Sequence, residues 1–268
     1  MDSVSYWFIS ETIVLLSRRN HFSLKNLSSR WRSIAEEEGN QQLFTIIADE
    51  KQFRLVGDVP WDVVKETIDS TNRFRIEKLT YEYSLNPEHH DFNEENVEIL
   101  KKMLVKSSCG TEVRFYSTFP LVAEHTVALL SAIPRISILH LYQKNSLKNS
   151  ACFELFKKAV FKGTLCDFYQ SEGIESFNNF LPHFNTFVKS QSFTSIGIHQ
   201  WSDSDFKDAF TESILQSLEE NKTIRKCRFQ GDNKRKLLVK RKLKNLPFQV
   251  EFGDTYEEMT FTQFVKIV

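Results

Sequence analysis

The sequence predicts an α/β fold built from a series of strand-and-helix units. Short apolar runs typical of strands recur at intervals of 34, 26, 27, 30 and 31 residues. The stretches between them carry apolar residues at helical spacing, so each unit joins one strand to one amphipathic helix. With 41% hydrophobic residues among 268, the chain can fill a sizeable core. The predicted strands at these intervals are centred on Leu79, Val113, Leu139, Cys166, Ile196 and Cys227, and a further strand is expected at Val250.

The N-terminal segment, residues 4 to 38, shows helical periodicity in two parts separated by a polar turn at residues 17 to 23. We therefore assign residues 1–42 to a short helical module and residues 43–268 to a βα repeat domain. The apolar positions of the module include Phe8, Leu15 and Leu16 in its first helix and Leu24, Leu27, Trp31 and Ile34 in its second.

The repeat domain is predicted to begin with two short strands, Leu43–Ile47 and Gln52–Val56, joined by a four-residue connection. A helix should follow from Pro60, a residue that suits the first turn because its missing N–H has no partner to lose there. Asp58 is its expected cap.

Each stretch between the later strands carries apolar residues at helical spacing and is predicted to form a helix. Asn93 can cap a helix whose first turn holds Glu94 and Glu95. Their predicted apolar faces are Val97, Leu100 and Leu104; Phe153, Phe156 and Val160 after Ser150; and Phe206, Phe210, Ile214 and Leu218 at four-residue steps.

The repeat of about thirty residues predicts an irregular leucine-rich-repeat-like βα solenoid, in which every unit buries its face against its neighbours. The competing fold is a doubly wound parallel sheet, whose strands should be apolar on both faces. Here apolar and polar residues alternate within Leu79-Thr-Tyr-Glu82 and within Cys227-Arg-Phe229. This alternation favours a sheet with one solvated face. The consensus asparagine-and-leucine repeat motif is absent, so the repeats would be degenerate. A capping helix is expected near residues 260–265.

The apolar runs and the cysteine spacing of the sequence indicate an intracellular protein. Asp2 and Glu11 interrupt the opening residues, and nowhere do about eighteen apolar residues run together, so we expect an intracellular protein that does not cross a membrane. The four cysteines are spaced 43, 14 and 61 residues apart, which fits neither a zinc site nor a disulfide framework. We predict that Cys109, Cys152, Cys166 and Cys227 are reduced core thiols.

The charges balance overall, with 35 basic and 35 acidic residues, but the segment Lys222–Lys244 holds eleven Lys or Arg and the single acid Asp232. This basic segment could contact phosphates or direct nuclear import, which would add the nucleus to a cytoplasmic location. We favour a solvated strand edge, because no aromatic residues suited to base stacking are interleaved with the two basic clusters of residues 234–242. Its two clusters are Lys234, Arg235 and Lys236, and Lys240, Arg241 and Lys242.

Residues that could support catalysis are scattered. The sequence contains no His-Glu-x-x-His helix, no Gly-x-Ser-x-Gly elbow and no glycine-rich phosphate loop. His89-His90-Asp91 could in principle bind a metal, but adjacent histidines of a strand point to opposite faces, and the segment is predicted to be a solvated loop. We therefore expect no enzyme activity, no metal and no cofactor.

The N-terminal module resembles the F-box pattern over about 35 residues. That pattern opens with Leu-Pro, continues with apolar residues at helical spacing and ends in a leucine-rich helix with a Trp-Arg step. Val4-Ser5 stands where Leu-Pro would, so the family's proline is Ser5 here. The matching positions are Phe8, Ile9, Thr12, Ile13 and Leu16 in the first helix and Leu24, Leu27, Trp31, Arg32 and Ile34 in the last.

Together with the irregular βα repeats, the module is similar to the expanded nematode families of F-box and F-box-like proteins. The resemblance implies docking on a Skp-type adaptor of a cullin-RING ubiquitin ligase, with the repeats holding a substrate protein. The adaptor contacts would be Val4, Phe8, Ile9, Ile13 and Trp31. Two alternatives stay open: a helical cap that only shields the first repeat, and a nucleic-acid-binding protein that uses the basic segment.

Overall fold

The architecture, taken from a computed structural model, is α/β. The structure describes residues 31–33, 42–70, 74–82, 89–107, 110–116, 123–142, 150–170, 180–198, 208–209, 212–217, 226–230, 248–252 and 258–263. Residues 31–33, 208–209 and 212–217 are helical.

The strands are β1 Gln42–Ala48, β2 Gln52–Val56, β3 Phe74–Tyr81, β4 His90–Asp91, β5 Thr111–Phe115, β6 Ile136–Leu141, β7 Asp167–Gln170, β8 Ser195–Ile198, β9 Lys226–Gln230, β10 Phe248–Phe252 and β11 Glu258–Gln263. The helices with complete bounds are α1 Trp61–Thr67, α2 Glu94–Lys106, α3 Glu124–Ala132, α4 Ser150–Phe161 and α5 Leu181–Val188.

Within these residues the strands form an open mixed sheet of eight, in the order β4-β2-β1-β3-β5-β6-β7-β8. β2 pairs antiparallel with both β1 and β4. The pairs β1–β3, β6–β7 and β7–β8 are parallel. A separate antiparallel sheet has the order β10-β11-β9.

The chain divides into two compact units. Unit 1 comprises Met1–Glu112 with Ala123–Arg135, and unit 2 comprises Val113–Val122 with Ile136–Val268. The largest buried side chains of unit 1 include Phe44, Phe53, Trp61, Tyr81 and Met103, and those of unit 2 include Phe115, Phe156, Phe168, Phe184, Phe187 and Phe193.

The core of unit 2 is an aromatic cluster, as expected for a sequence of 268 residues that contains 24 phenylalanines. Phe156 of α4 lies 4.9 Å from Phe168 of β7 and 5.0 Å from Phe184 of α5, measured between ring centroids. Phe187 meets Phe193 edge-on at 5.0 Å. These tilted and edge-on contacts add stability beyond the area they bury.

In unit 1, the start of α2 follows the sequence prediction. The side chain of Asn93 accepts a hydrogen bond from the backbone N–H of Asn96 at 2.8 Å, while Leu100 and Leu104 are fully buried. For α1 the expected cap is wrong: Pro60 occupies the N-cap position and makes no side-chain cap hydrogen bond.

The C-terminal end of α2 is tied to β3 by a buried serine. Ser107 Oγ accepts a hydrogen bond from the N–H of Ile76 at 3.1 Å and donates one to the carbonyl of Ile76 at 3.2 Å. The register of β1 with β3 shifts at this point, between the partners of Phe44 and Thr45. A serine hydroxyl therefore pairs with the backbone of Ile76 beside an irregularity of the sheet.

Strands occur around all seven predicted centres. However, the strands at Cys227 and Val250 belong to the antiparallel sheet rather than to the repeating parallel one. The predicted helix near residues 260–265 is wrong, because β11 covers Glu258–Gln263. There Thr260-Phe-Thr262 combines β-branched and aromatic residues in alternation, a pattern that fits a strand.

Two further expectations are corrected. Leu79, Thr80 and Tyr81 are all buried, at 0, 3 and 2% exposure, so alternation between a buried and a solvated face fails at the end of β3. His90 and Asp91, predicted in a loop, form β4 and pair with Phe53 and Gln52.

The module boundary at residue 42 stays a prediction, because residues 1–30 and 34–41 lie outside the described part. Among the residues that the structure describes, no helix has the length and apolar character needed to cross a membrane.

Candidate functional site

The candidate site lies on the exposed face of β5, β6 and β7 in unit 2, where three tyrosines come together. Strand alternation creates this face. Along β5, Val113 and Phe115 are buried at 0 and 1% exposure, so Arg114 and Tyr116 belong to the opposite side. Tyr116, directly after the strand, is 41% exposed.

The next two strands repeat this arrangement. Leu139 and Leu141 of β6 are fully buried and alternate with His140, which Tyr142 follows two residues later. In β7, Phe168 and Gln170 are fully buried and alternate with Asp167 and Tyr169. We call the set Arg114, Tyr116, His140, Tyr142, Asp167 and Tyr169 the tyrosine face.

Backbone pairing sets the positions of the tyrosines. The N–H of Tyr142 donates to the carbonyl of Phe115 at 2.9 Å, so the end of β6 lies beside the end of β5. The register of β6 with β7 places His140 opposite Tyr169. These two constraints bring Tyr116, Tyr142 and Tyr169 into one row.

The rings of this row are in contact. Tyr116 stacks on Tyr142 with centroids 4.5 Å apart and an interplanar angle of 9°. Tyr142 meets Tyr169 at 5.1 Å with a tilt of 46°. His140 packs edge-on against Tyr169 at 5.6 Å. Such mutual packing restricts the tyrosines before any partner arrives.

Polar contacts run along the same row. Arg114 Nη1 donates to the Tyr116 hydroxyl at 2.9 Å. The Tyr142 hydroxyl lies 3.4 Å from His140 Nδ1, and His140 Nε2 lies 3.6 Å from Asp167 Oδ1. Burial raises the pKa of Tyr142, and the neighbouring Tyr116 adds to the shift, so Tyr142 is a neutral hydroxyl at physiological pH.

Gly197 of β8 completes the surface beside Tyr169, its partner in the parallel register. A Cβ atom at residue 197 would lie 2.7 Å from Cδ2 of Tyr169 and 3.3 Å from Cε2. Real Cβ atoms essentially never approach another heavy atom to 2.7 Å, so the ring of Tyr169 occupies the space that any side chain at residue 197 would need.

The tyrosine face is suited to binding rather than to bond-making. Tyrosine buries a large area at low conformational cost and ends in a hydroxyl that can donate or accept a hydrogen bond. Among the described residues, no group of three His, Cys, Asp or Glu side chains could hold a metal ion. Burial raises the pKa of the free thiols of Cys152 and Cys166, which disfavours a reactive thiolate at either residue.

A second aromatic cluster lies in unit 1 around Phe53. Trp61 packs edge-on against Phe53 at 5.0 Å, and Phe92 lies 5.2 Å from Phe53. His125 stacks on Phe92 at 4.2 Å. With Phe53 and Trp61 at 0 and 5% exposure, this cluster is core packing.

The residues predicted to bind partners are almost all outside the described part. This holds for Val4, Phe8, Ile9 and Ile13, and for the basic clusters Lys234, Arg235 and Lys236, and Lys240, Arg241 and Lys242. Trp31 is described: it is helical and partly exposed.

The sequence analysis assigns substrate binding to the repeats but does not identify the tyrosines. A sequence pattern does indicate these tyrosines. In or directly after each of three successive strands, a polar residue is followed two positions later by a tyrosine, which places both on one face of the sheet. These pairs are Arg114 and Tyr116, His140 and Tyr142, and Asp167 and Tyr169.

Comparisons with known proteins give no relative. No protein-family model, curated protein or solved structure matches the chain.

Proposed function

We propose that this chain is a non-catalytic protein-interaction protein whose tyrosine face binds a partner protein. The observation that carries the proposal is the row of Tyr116, Tyr142 and Tyr169 in mutual contact on an accessible sheet face. Interfaces concentrate their binding energy in a few anchors, and tyrosine is among the residues most enriched at such positions.

Preorganisation supports the proposal. The rings are already ordered by their neighbours, so binding loses less side-chain entropy than it would with isolated tyrosines. Arg114 and Asp167 lie at opposite ends of the row and supply one charge of each sign. A partner that places an apolar surface over the rings could pair its own charges with theirs, which would fix the orientation of the complex.

The arrangement of unit 2 favours the leucine-rich-repeat-like form of the fold. β6, β7 and β8 are neighbours in chain order, and α4 and α5 connect them. Parallel crossovers are almost always right-handed, so two connections that progress in the same direction put both helices on the same sheet face. The opposite face, which carries the tyrosines, would then stay uncovered, as in a solenoid; a doubly wound sheet would cover it.

The ligase role belongs to the same proposal and rests on the N-terminal sequence pattern. In it, Val4, Phe8, Ile9, Ile13 and Trp31 would contact a Skp-type adaptor, while the tyrosine face holds the substrate protein. The helical cap remains the alternative for the module, and nucleic-acid binding remains the alternative for the basic segment. The proposed location is the cytoplasm, with entry to the nucleus if the basic clusters act as an import signal.

The decisive experiment is a quantitative affinity purification of the full chain, followed by mass spectrometry. Wild type is compared with Tyr116→Ala, with Tyr116→Phe, which keeps the ring, and with Val105→Ala, a substitution at a 63% exposed residue of α2. We expect a partner that is recovered with wild type, Tyr116→Phe and Val105→Ala but depleted about tenfold with Tyr116→Ala. An unchanged set of proteins with Tyr116→Ala would overturn the proposal.

The same purification separates the roles of the N-terminal module. Recovery of a Skp-type adaptor with wild type, and its loss with Phe8→Ala combined with Ile9→Ala, supports adaptor docking. If wild type recovers no such adaptor, the helical cap replaces it. Salt-sensitive binding of RNA or DNA that disappears when residues 234–242 are neutralised would favour the nucleic-acid alternative.

A further inference from the structure

We propose that mild acid switches the tyrosine face, because a protonated His140 forms an ion pair with Asp167 and changes its hydrogen bond to Tyr142. The imidazole of His140 lies between the other two side chains. Its Nδ1 atom is 3.4 Å from the Tyr142 hydroxyl, and its Nε2 atom is 3.6 Å from Asp167 Oδ1. As regulation of partner binding, the inference rests on the proposed function; as a change in the free chain, it can be tested without a partner.

Both contacts of the imidazole are long. A hydrogen bond between nitrogen and oxygen ordinarily spans about 2.7–3.2 Å. Within the part of the chain that the structure describes, the Nε2 atom of His140 is buried and makes no hydrogen bond, although Asp167 Oδ1 lies just beyond that distance. Buried polar atoms are usually satisfied, so a closer approach to Asp167 would remove an unfavourable feature of the neutral ring.

The Asp167 carboxylate is placed to pair with a charged imidazole. Among the described residues, His140 is the one basic side chain that approaches Asp167 closely. The two side chains are 16 and 31% exposed, so water and salt screen the pair only in part. A protonated imidazole donates a charge-assisted hydrogen bond, and such bonds shorten to about 2.7–2.9 Å. Protonation should therefore draw the ring of His140 toward Asp167.

Protonation also reverses the hydrogen bond between His140 and Tyr142. In the neutral ring that directs Nε2–H toward Asp167, Nδ1 can only accept, so the Tyr142 hydroxyl donates to it. In the charged ring both nitrogens donate, so Nδ1–H points at the Tyr142 oxygen and the hydroxyl hydrogen turns outward. Burial raises the pKa of Tyr142, so its hydroxyl keeps that hydrogen in both states.

Charged and titratable groups of three strands share this side of the sheet with His140. They are Glu112, Arg114 and Tyr116 from β5, Tyr142 at the end of β6, and Asp167 and Tyr169 from β7. Arg114 opposes a further positive charge, whereas the carboxylates favour one, and Asp167 is the carboxylate beside the ring. Histidine is the type of side chain that ordinarily changes charge between about pH 5 and 8, so His140 is the group that responds to mild acid.

The consequence for the tyrosine face is stronger binding in mild acid. His140 packs edge-on against Tyr169 at 5.6 Å, so a ring held by Asp167 also restricts the row before a partner arrives. The Tyr142 hydroxyl then offers its hydrogen to a carbonyl or carboxylate of the partner. We therefore expect the partner to bind more tightly at about pH 5.5 than at about pH 7.5.

The test on the free chain is near-ultraviolet circular dichroism, which reports the packing of tyrosine rings. Between about pH 7.5 and 5.5, we expect a change in the tyrosine signal of wild type that falls by about half or more in His140→Gln and in Asp167→Asn. The first variant cannot become charged, and the second removes the carboxylate but keeps its shape. The matched control is His183→Gln, because His183 of α5 packs against Phe153 of α4 at 5.5 Å, and it should leave the change intact.

Far-ultraviolet spectra establish that each variant is folded at both pH values, and if one of the two does not fold, the other decides. A wild-type signal that does not change with pH, or an equal change in wild type and the folded variants, would overturn the inference.

The second measurement uses the partner that the affinity purification recovers. Wild type should bind it several-fold more tightly at about pH 5.5 than at about pH 7.5, whereas His140→Gln should bind it equally at both. A reversed pH dependence, or the same dependence in His140→Gln, would show that the switch does not regulate binding. If no partner is recovered, the proposed function fails, and the dichroism of the free chain still decides whether His140 switches the tyrosine face.

Discussion

The ring of Tyr116 lies almost parallel to the ring of Tyr142, with centroids 4.5 Å apart and 9° between the planes. Tyr116 follows β5 and Tyr142 follows β6, so the stack bridges the ends of two strands that are 26 residues apart in sequence. It is both a packing contact and the centre of the proposed binding surface. Its contributions to stability and to binding can be separated by mutation.

Tyr116→Ala should lower the free energy of unfolding by about 1 kcal/mol, because aromatic pairs contribute about 0.5–1.5 kcal/mol beyond the area they bury. Tyr116→Phe keeps the ring and gives up the exposed hydrogen bond from Arg114, so it should cost less. Urea denaturation of both variants measures the difference. Equal losses would mean that the hydroxyl matters more than the stack.

Gly197→Ala should destabilise unit 2 by about 1–3 kcal/mol, the usual cost of inserting a group into filled space. The added methyl would collide with the ring of Tyr169 at 2.7 Å. A double-mutant cycle provides the control: in a Tyr169→Ala background the same substitution should cost nearly nothing. If Gly197→Ala is equally destabilising in the Tyr169→Ala background, the added methyl collides with a group other than the ring of Tyr169.

Ser107→Ala should cost about 1 kcal/mol, the net contribution of a typical intramolecular hydrogen bond, since it removes a buried hydroxyl that bonds to the N–H and the carbonyl of Ile76. Ser70→Ala is the matched control, because the Ser70 hydroxyl donates to the Thr67 carbonyl in an exposed position and water can replace it. Thermal or urea unfolding compares the two. Equally small effects of both substitutions would show that the bonds of the Ser107 hydroxyl to Ile76 contribute little to stability.

Cys152 should resist alkylation in the folded protein. It is 0% exposed, and burial raises the pKa of its thiol, so the thiolate that reacts with iodoacetamide is scarce and inaccessible. Mass spectrometry after labelling at mildly alkaline pH should find Cys152 unmodified in native protein and fully modified in denaturant. Equal labelling in both states would contradict the described packing.

Acidification should destabilise unit 1 through His125. Burial lowers the pKa of His125 below its ordinary value near 6.5, although Asp49 opposes the shift. The unfolded chain then binds the proton more tightly, so stability is complete above about pH 6.5 and falls as the pH drops from there to the folded pKa. Below the folded pKa this contribution levels off.

Unfolding free energies between about pH 7.5 and 5 measure this effect, and His125→Gln should flatten the profile over that range. The variant keeps a polar side chain of similar length but cannot titrate. An unchanged slope would assign the pH dependence to other groups.

The positions of strands along the chain could be predicted because their signal is local. Short runs of isoleucine and other apolar residues mark β6 and β8 almost residue by residue, and Asn93 followed by Glu94 and Glu95 marks the start of α2. The prediction was wrong at Thr260, where a capping helix was expected although the residues favour a strand. It also missed the two-residue strand at His90, which exists only because β2 pairs with it.

The sequence predicts the candidate site only in part. Alternation within one strand predicts that Arg114 and Tyr116 share a face, and the same holds for His140 and Tyr142. No local rule states that these pairs become neighbours. That depends on the hydrogen bond from Tyr142 to Phe115 and on the register of β6 with β7.

By itself, the sequence determined an α/β chain with regularly spaced strands, an aromatic core and a fixed side for each strand residue, because these follow from short-range periodicity and apolar content. Only the tertiary structure decided that β9 to β11 leave the parallel order for a sheet of their own, and that Tyr169 fills the space above Gly197. Both depend on pairing between segments distant in sequence. Such pairings are chosen by the packing of the whole core rather than by any local stretch of residues.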